Sequence, residues 1–181
     1  MRNDARRVER YVFAAADTLL FDTNIWLLIY GPQGNPSDYR TRIYSAALAK
    51  VLKVKSHIYL DVLILSEFIN RYARLRYDIL RPTGWPKEFK SFRKSAAFKS
   101  IAKDIAADAQ RVVRQCERTE SGFETVDIGA LLAEYESGDA DFNDQILVEL
   151  CKAKGLTLVT HDADFKDRGL TLLTANPRLL A

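Results

Sequence analysis

Short apolar runs that stop at a polar residue alternate along this chain with longer stretches of helical spacing. The sharpest run is Thr18-Leu19-Leu20-Phe21, a predicted strand that ends at Asp22 before Thr23 and Asn24. Residues 24–30 are apolar again and predict a short helix closed by Gly31. Gly31-Pro32-Gln33-Gly34-Asn35-Pro36 is the plainest loop. Ser37 is placed to cap a helix over 38–54, with Ile43, Ala47 and Val51 on its apolar face. Residues 57–60 predict a second strand. A helix follows, with Glu67 near its start and Phe68, Tyr72, Leu75 and Ile79 along it, until Pro82 and Pro86 break it. Residues 87–118 read as helical, 123–126 as a short strand or connection, and 128–135 as a short helix closed by Gly138. Asp139-Ala140-Asp141-Phe142-Asn143-Asp144-Gln145 opens a helix that Gly155 ends. Residues 156–160 form a buried strand running into His161-Asp162-Ala163-Asp164-Phe165, and 170–173 form the last strand. Ahead of all these, Val8, Tyr11, Val12 and Ala15 predict an amphipathic helix over 4–16.

Strands alternating with helices predict an α/β domain with a mainly parallel sheet and a helical insertion around 80–120. Ligand sites in such sheets lie at the carboxyl ends of the strands. Asp22 and Asp162 sit at such ends, and Glu67 and Asp144 near the starts of helices that follow or flank strands. Four acids far apart in sequence are thus predicted at one rim.

Composition narrows the setting. At 181 residues and 48% apolar content, the chain suits a single domain with its own core. Cys116 and Cys151 form no spaced motif and read as small buried hydrophobes in a reducing compartment. Arg2, Arg6, Arg7 and Arg10 precede a short apolar run, but Asp4, Glu9 and Asp17 interrupt any secretory signal. No stretch reaches the roughly 20 apolar residues of a membrane span. The expectation is a soluble, cytoplasmic protein.

The net charge of +3 is unevenly spread: residues 1–70 carry +2, residues 71–103 carry +8, and residues 104–181 carry −7. Acids that gather cations and a basic segment that holds a polyanion fit one site.

Carboxylates crowded at one rim raise each other's pKa unless a cation joins them, and oxygen-only ligation suits Mg²⁺ or Mn²⁺. Zinc is disfavoured, because His57 and His161 are far apart and neither has a thiol neighbour. Structural roles compete at each position. Asp22 and Asp141 are also natural helix caps, and Asp162 and Asp164 natural turn residues. Glu67, however, lies in an apolar stretch where an unpaired charge is costly.

Asp22-Thr23-Asn24 after the first strand, Ser66-Glu67-Phe68, Asp144-Gln145-Ile146-Leu147, and the closing Leu158 to Phe165 block together resemble the PIN domain family. The resemblance spans about residues 18–174. It implies a single PIN-like domain with a Rossmann-like, three-layer α/β/α fold and a basic helical insertion at about 71–120. It also implies a Mg²⁺- or Mn²⁺-dependent endoribonuclease whose metal site matches Asp22, Glu67, Asp144 and Asp162. Asn24 and Thr160 match positions that orient the acids. Asp141 and Asp164 are extra acids suited to a second metal or a water, with Asp141 the stronger because it lies one helical turn before Asp144. The chain also resembles VapC-type toxins, which implies a cognate antitoxin partner and self-association as a homodimer. The stretch between Glu67 and Asp144 is longer and more basic than is usual in those toxins.

Arg71, Arg74, Arg76, Arg93 and Lys94, interleaved with Tyr72, Tyr77, Trp85, Phe89 and Phe92, are the expected RNA grip. The spacing of Phe89, Phe92 and Ile101 favours inward packing for the aromatics, so the charges carry this expectation. A haloacid-dehalogenase-type phosphatase needs a second Asp where this chain has Asn24. A receiver domain needs a strand-end Lys that is missing. The remaining rival is a non-catalytic PIN-like module that binds RNA or protein.

Overall fold

The computed structural model describes residues 1–81, 88–138 and 141–181. The predicted break at Pro82 and Pro86, together with Trp85, Lys87 and the Asp139-Ala140 pair, lies outside the described residues. A six-stranded sheet runs in the order β1 (Asp4–Arg7), β6 (Thr171–Thr174), β5 (Thr157–Val159), β2 (Thr18–Phe21), β3 (His57–Leu60), β4 (Glu117–Arg118). Every pairing is parallel. Helices α1 (Thr23–Ile29), α2 (Tyr39–Val54), α3 (Val62–Leu80), α4 (Phe89–Arg93), α5 (Phe98–Gln115), α6 (Ile128–Glu136) and α7 (Phe142–Lys154) flank it in a three-layer α/β/α arrangement.

The central strands are buried on both faces, as parallel strands under helices must be. Leu19, Leu20 and Phe21 of β2 and Leu158 and Val159 of β5 are solvent-free. From β2 the chain moves to β3 on one side, while β5 flanks the other side. The crevice where strand order reverses is therefore between β2 and β5, the usual ligand position in an open α/β sheet. Their register pairs Phe21 with Val159, so Asp22 and Thr160 emerge side by side.

Local chemistry sets the element ends. Gly155 adopts a φ of 63° at the end of α7, a left-handed turn that glycine makes without a Cβ penalty. In place of the one helical stretch expected over 87–118, the described residues hold two helices, α4 and α5. Ser95 stops the first by donating its hydroxyl to the Phe92 carbonyl (2.7 Å), and the same oxygen accepts from the Phe98 amide (3.3 Å). Asp38, not Ser37, caps α2, accepting from the Arg40 amide at 2.8 Å. Of the two readings of 123–126, a short strand or a connection, the connection holds: Phe123–Thr125 is a 3-10 turn, and the strand of that region is β4.

The N-terminal helix is also overturned. Residues 4–7 form β1 on the edge of β6, pairing Asp4 to Arg7 with Thr171 to Thr174. The open β6 edge offers a row of unpaired backbone groups, and satisfying them outweighs a weak helical pattern. Val8 and Phe13 are buried, whereas Val12, on the expected apolar face, is 87% exposed. Among the described residues, no helix is long and apolar enough to cross a membrane.

Candidate metal centre

The end of β2 delivers Asp22 into the crevice. Asp22 occupies the N-cap position of α1 without a capping hydrogen bond. Its Oδ2 instead accepts from the Thr160 hydroxyl (2.7 Å) and from the Asn24 amide. Thr160 Oγ1 in turn accepts from the Asp162 amide at 3.0 Å, and Asn24 Oδ1 from the His161 amide at 3.3 Å. One small polar lattice thus locks the ends of β2 and β5 together. Asn24 and Thr160, expected to orient the acids, touch Asp22 directly.

Glu67 arrives one and a half turns into α3. Its Oε2 accepts from the Thr23 hydroxyl (2.9 Å) and its Oε1 from Arg71 (3.1 Å), one helical turn on. Asp141 caps α7 by accepting from the Asn143 amide at 2.8 Å. Asp144, in the first turn, is half-buried. Asp162 accepts from the Asp164 amide at 3.1 Å and so shapes the turn it was read as shaping. The capping reading of Asp141 and the turn reading of Asp162 therefore hold, each through one oxygen.

Electrostatics shows which acids meet. Burial pushes Asp22 up to about 7, opposed by the Thr160 hydrogen bond and aided by repulsion from Glu67 and Asp162. Burial likewise pushes Asp144 up to about 7, with repulsion from Asp22, Asp141, Asp162 and Glu67. The four acids expected at one rim, with Asp141 as a fifth, thus gather around Asp144, and Asp22 also feels Glu67 and Asp162. Asp164 is exposed and faces the neighbouring cleft. Among the described residues, no three acidic, imidazole or thiol side chains close into a finished metal cage. Two carboxyls with such raised proton affinity and an all-oxygen donor set fit a hard divalent cation, which relieves the repulsion that holds them apart.

A cleft of about 420 Å³ opens beside these acids. Asn24, Arg71, His161, Asp162 and Asp164 line it, together with Arg40 and Arg178. Of the expected RNA-contacting residues, only Arg71 lines this cleft. Arg74 lies over the Phe89 ring at 4.7 Å, and Arg93 borders an apolar groove with Ile69, Phe98 and Ile105. Arg76 is half-buried and Lys94 is exposed.

Sequence reasoning missed Tyr44, Asn176, Arg40, Arg178 and Asp61. Tyr44 is fully buried in α2. Its hydroxyl donates to the Thr160 carbonyl (3.1 Å), accepts from the Ala175 amide (2.9 Å) and meets His161 Nδ1 at 2.9 Å. Nothing in a helix pattern marks a buried tyrosine as the hub of a distant rim. Asp61 had a signal: it follows β3 as Asp22 follows β2. It is wholly buried and caps α3 through the Leu63 amide at 2.8 Å.

A family model described as PIN domain matches residues 19–170. Among solved structures, the chain is similar to VapBC2 from Rickettsia felis bound to a DNA fragment from their promoter. That match has a TM-score of 0.53 and 17% identity, covering 87% of this chain and 98% of that chain. An identity this low speaks to the fold alone. No curated protein matches.

Proposed function

The chain belongs to the PIN domain family, and from that premise we propose that it is a cytoplasmic, Mg²⁺- or Mn²⁺-dependent endoribonuclease. One observation carries the reading. Acids from β2, α3, α7 and the end of β5 gather at the topological switch point, and two of them are pushed up to about 7.

Asp22, Glu67, Asp144 and Asp162 would hold the cation, and Asp141 is the best placed of the other acids to add a ligand. Asp164 sits farther out, where it suits a water-mediated contact. A bound divalent cation acidifies water and neutralises charge at a phosphodiester. The chain's own residues prepare that chemistry. Thr160 and Asn24 fix the free Asp22 oxygen toward the crevice by occupying the other. Thr23 and Arg71 fix Glu67 differently, one on each carboxylate oxygen. Arg71 also presents positive charge to a phosphate entering the cleft. Arg74, Arg76, Arg93 and Lys94 form an outer basic flank for the rest of the strand.

The purified protein should cleave RNA with Mg²⁺ or Mn²⁺ and stop with EDTA. Asp22→Asn and Asp144→Asn should each lower cleavage by at least about a hundredfold while circular dichroism stays unchanged. Full activity in either variant removes that residue from the site. If the parent cleaves no RNA and binds no divalent cation, the chain is a non-catalytic binding module.

The similarity to a VapBC2 assembly supports a second level of the reading, a toxin that pairs with a small antitoxin; pairing with itself rests on the family resemblance alone. Expression should then arrest growth, and a small neighbouring gene should relieve the arrest. Harmless expression of the active enzyme overturns this level without touching the first.

A further inference from the structure

Three arginines line the cleft beside the acids, and their surroundings differ. Arg71 is paired with Glu67. Arg40 is clamped by Asp38, whose carboxylate accepts from its Nε and from one terminal nitrogen at 2.6 Å. Arg178 is exposed and makes no ion pair among the described residues.

An exposed arginine is ordinarily a mobile surface charge, but the backbone of Arg178 is anchored. It lies in a 3-10 turn, Pro177–Leu179, just past β6. Asn176 is 9% exposed and ties this turn down twice. Its Oδ1 accepts from the Arg178 amide at 3.0 Å, and its Nδ2 donates to the His161 carbonyl at 2.8 Å. His161 directly precedes Asp162. Its amide donates to Asn24, and its ring meets Tyr44, whose hydroxyl also receives the Ala175 amide. Arg178 is therefore mounted on the same rigid corner that carries the acid rim. Arg40 reaches that corner too: it lines the same cleft as His161 and Arg178.

We propose that Arg178, with Arg40 beside it, grips a backbone phosphate of single-stranded RNA adjacent to the phosphate held at the acids. On this side of the acids the strand then runs from the β2–β5 crevice toward the end of β6, while the basic α3–α5 flank takes it on the other side. The assignment rests on the nuclease reading for its substrate, but the grip itself is a binding function. A free guanidinium presents a planar fork of donors suited to phosphate oxygens, and among the described residues the remaining nitrogen of Arg40 has no partner.

The test is binding of a short fluorescein-labelled polyuridine RNA to the full chain, followed by anisotropy over a range of salt. It is run in EDTA, and again with Mg²⁺ in the Asp22→Asn background. Arg178→Ala should raise Kd roughly tenfold, as loss of a charged hydrogen bond does. It should also flatten the log–log salt slope by about 0.7, the value for one lost phosphate contact on a single strand. Arg178→Lys should keep the slope and recover part of the affinity. The proposal is overturned if Arg178→Ala keeps the parental slope and affinity, if Arg178→Lys loses as much slope as alanine does, or if the parent binds no RNA in either condition. Cleavage with Mg²⁺ separates the two readings. Arg178-dependent binding without cleavage sinks the nuclease reading and leaves the grip. Cleavage with an unchanged KM in Arg178→Ala sinks the grip and leaves the nuclease.

Discussion

Asp144 sits where its charge is least welcome. It is half-buried in the first turn of α7 and repelled by Asp22, Asp141, Asp162 and Glu67, so its carboxyl is pushed up to about 7. A residue kept for stability would not be placed so. Replacing it with asparagine removes the charge and keeps the shape. In EDTA at pH 8, Asp144→Asn should therefore gain stability, by about 1–3 kcal/mol on the scale of an uncompensated, partly buried charge. Urea unfolding measures this, and a clear loss of stability would mean that Asp144 serves the fold. The same variant should lose the thermal shift that the parent gains from Mn²⁺. These acids were legible in the sequence because Asp22 and Asp162 follow apolar strands, Asp144 opens a helix and Glu67 interrupts an apolar stretch, patterns only a few residues long. Arg178 and Asn176 were not, since they acquire meaning only when β6 lands next to β5. The extra acids divided: Asp141 joins the repulsive cluster, whereas exposed Asp164 does not.

Among the elements, α2 does the least obvious work. It packs beside α1, yet its Tyr44 hydroxyl crosses to the carboxyl ends of β5 and β6, meeting the Thr160 carbonyl and the Ala175 amide. Burial pushes this phenol up to about 12, so it keeps the proton it donates. In Tyr44→Phe the buried Ala175 amide loses its partner. The expected cost is about 1–3 kcal/mol, the penalty of an unmet buried donor. Cleavage should fall as well, because Thr160 and His161 lose the post that steadies them. Parental stability in the urea unfolding of Tyr44→Phe would discard the hub. Element prediction succeeded where the signal was local: β2, β3, α1, α3 and the Gly155 stop lie where periodicity and turn residues placed them. It failed at β1, where residues 4–7 answer to the exposed edge of β6 rather than to their own pattern. It failed again at β4, a two-residue strand whose partner, β3, lies more than fifty residues earlier. Tertiary pairing of that kind leaves no periodic trace.

At the scale of the whole molecule, the uneven charge becomes a statement about stability. The acidic residues 104–181 supply Asp144 and Asp162, and residues 1–70 supply Asp22 and Glu67, so folding assembles a repulsion the unfolded chain does not feel. Asp22 and Asp144 hold their protons to about pH 7 when folded, against an ordinary value of 3.8. Between about pH 4 and pH 7 the folded chain thus binds more protons than the unfolded one, so these two groups make stability fall as pH rises through that window. Above about pH 7 both states are ionised at these positions and this contribution levels off. His161 acts in the opposite sense below about pH 6.5, because burial and Arg40 lower its proton affinity when folded. Subtracting the profile of Asp144→Asn from that of the parent separates the Asp144 contribution from that of the imidazole, which both proteins share. A divalent cation binds the ionised acids, so its stabilisation should be small near pH 5 and grow toward pH 8. At a hundred times its Kd it should reach about 2.7 kcal/mol. Thermal unfolding at the two pH values, with EDTA and with saturating Mn²⁺, reads the difference. A cation shift of equal size at both would mean that the ion binds somewhere other than these acids.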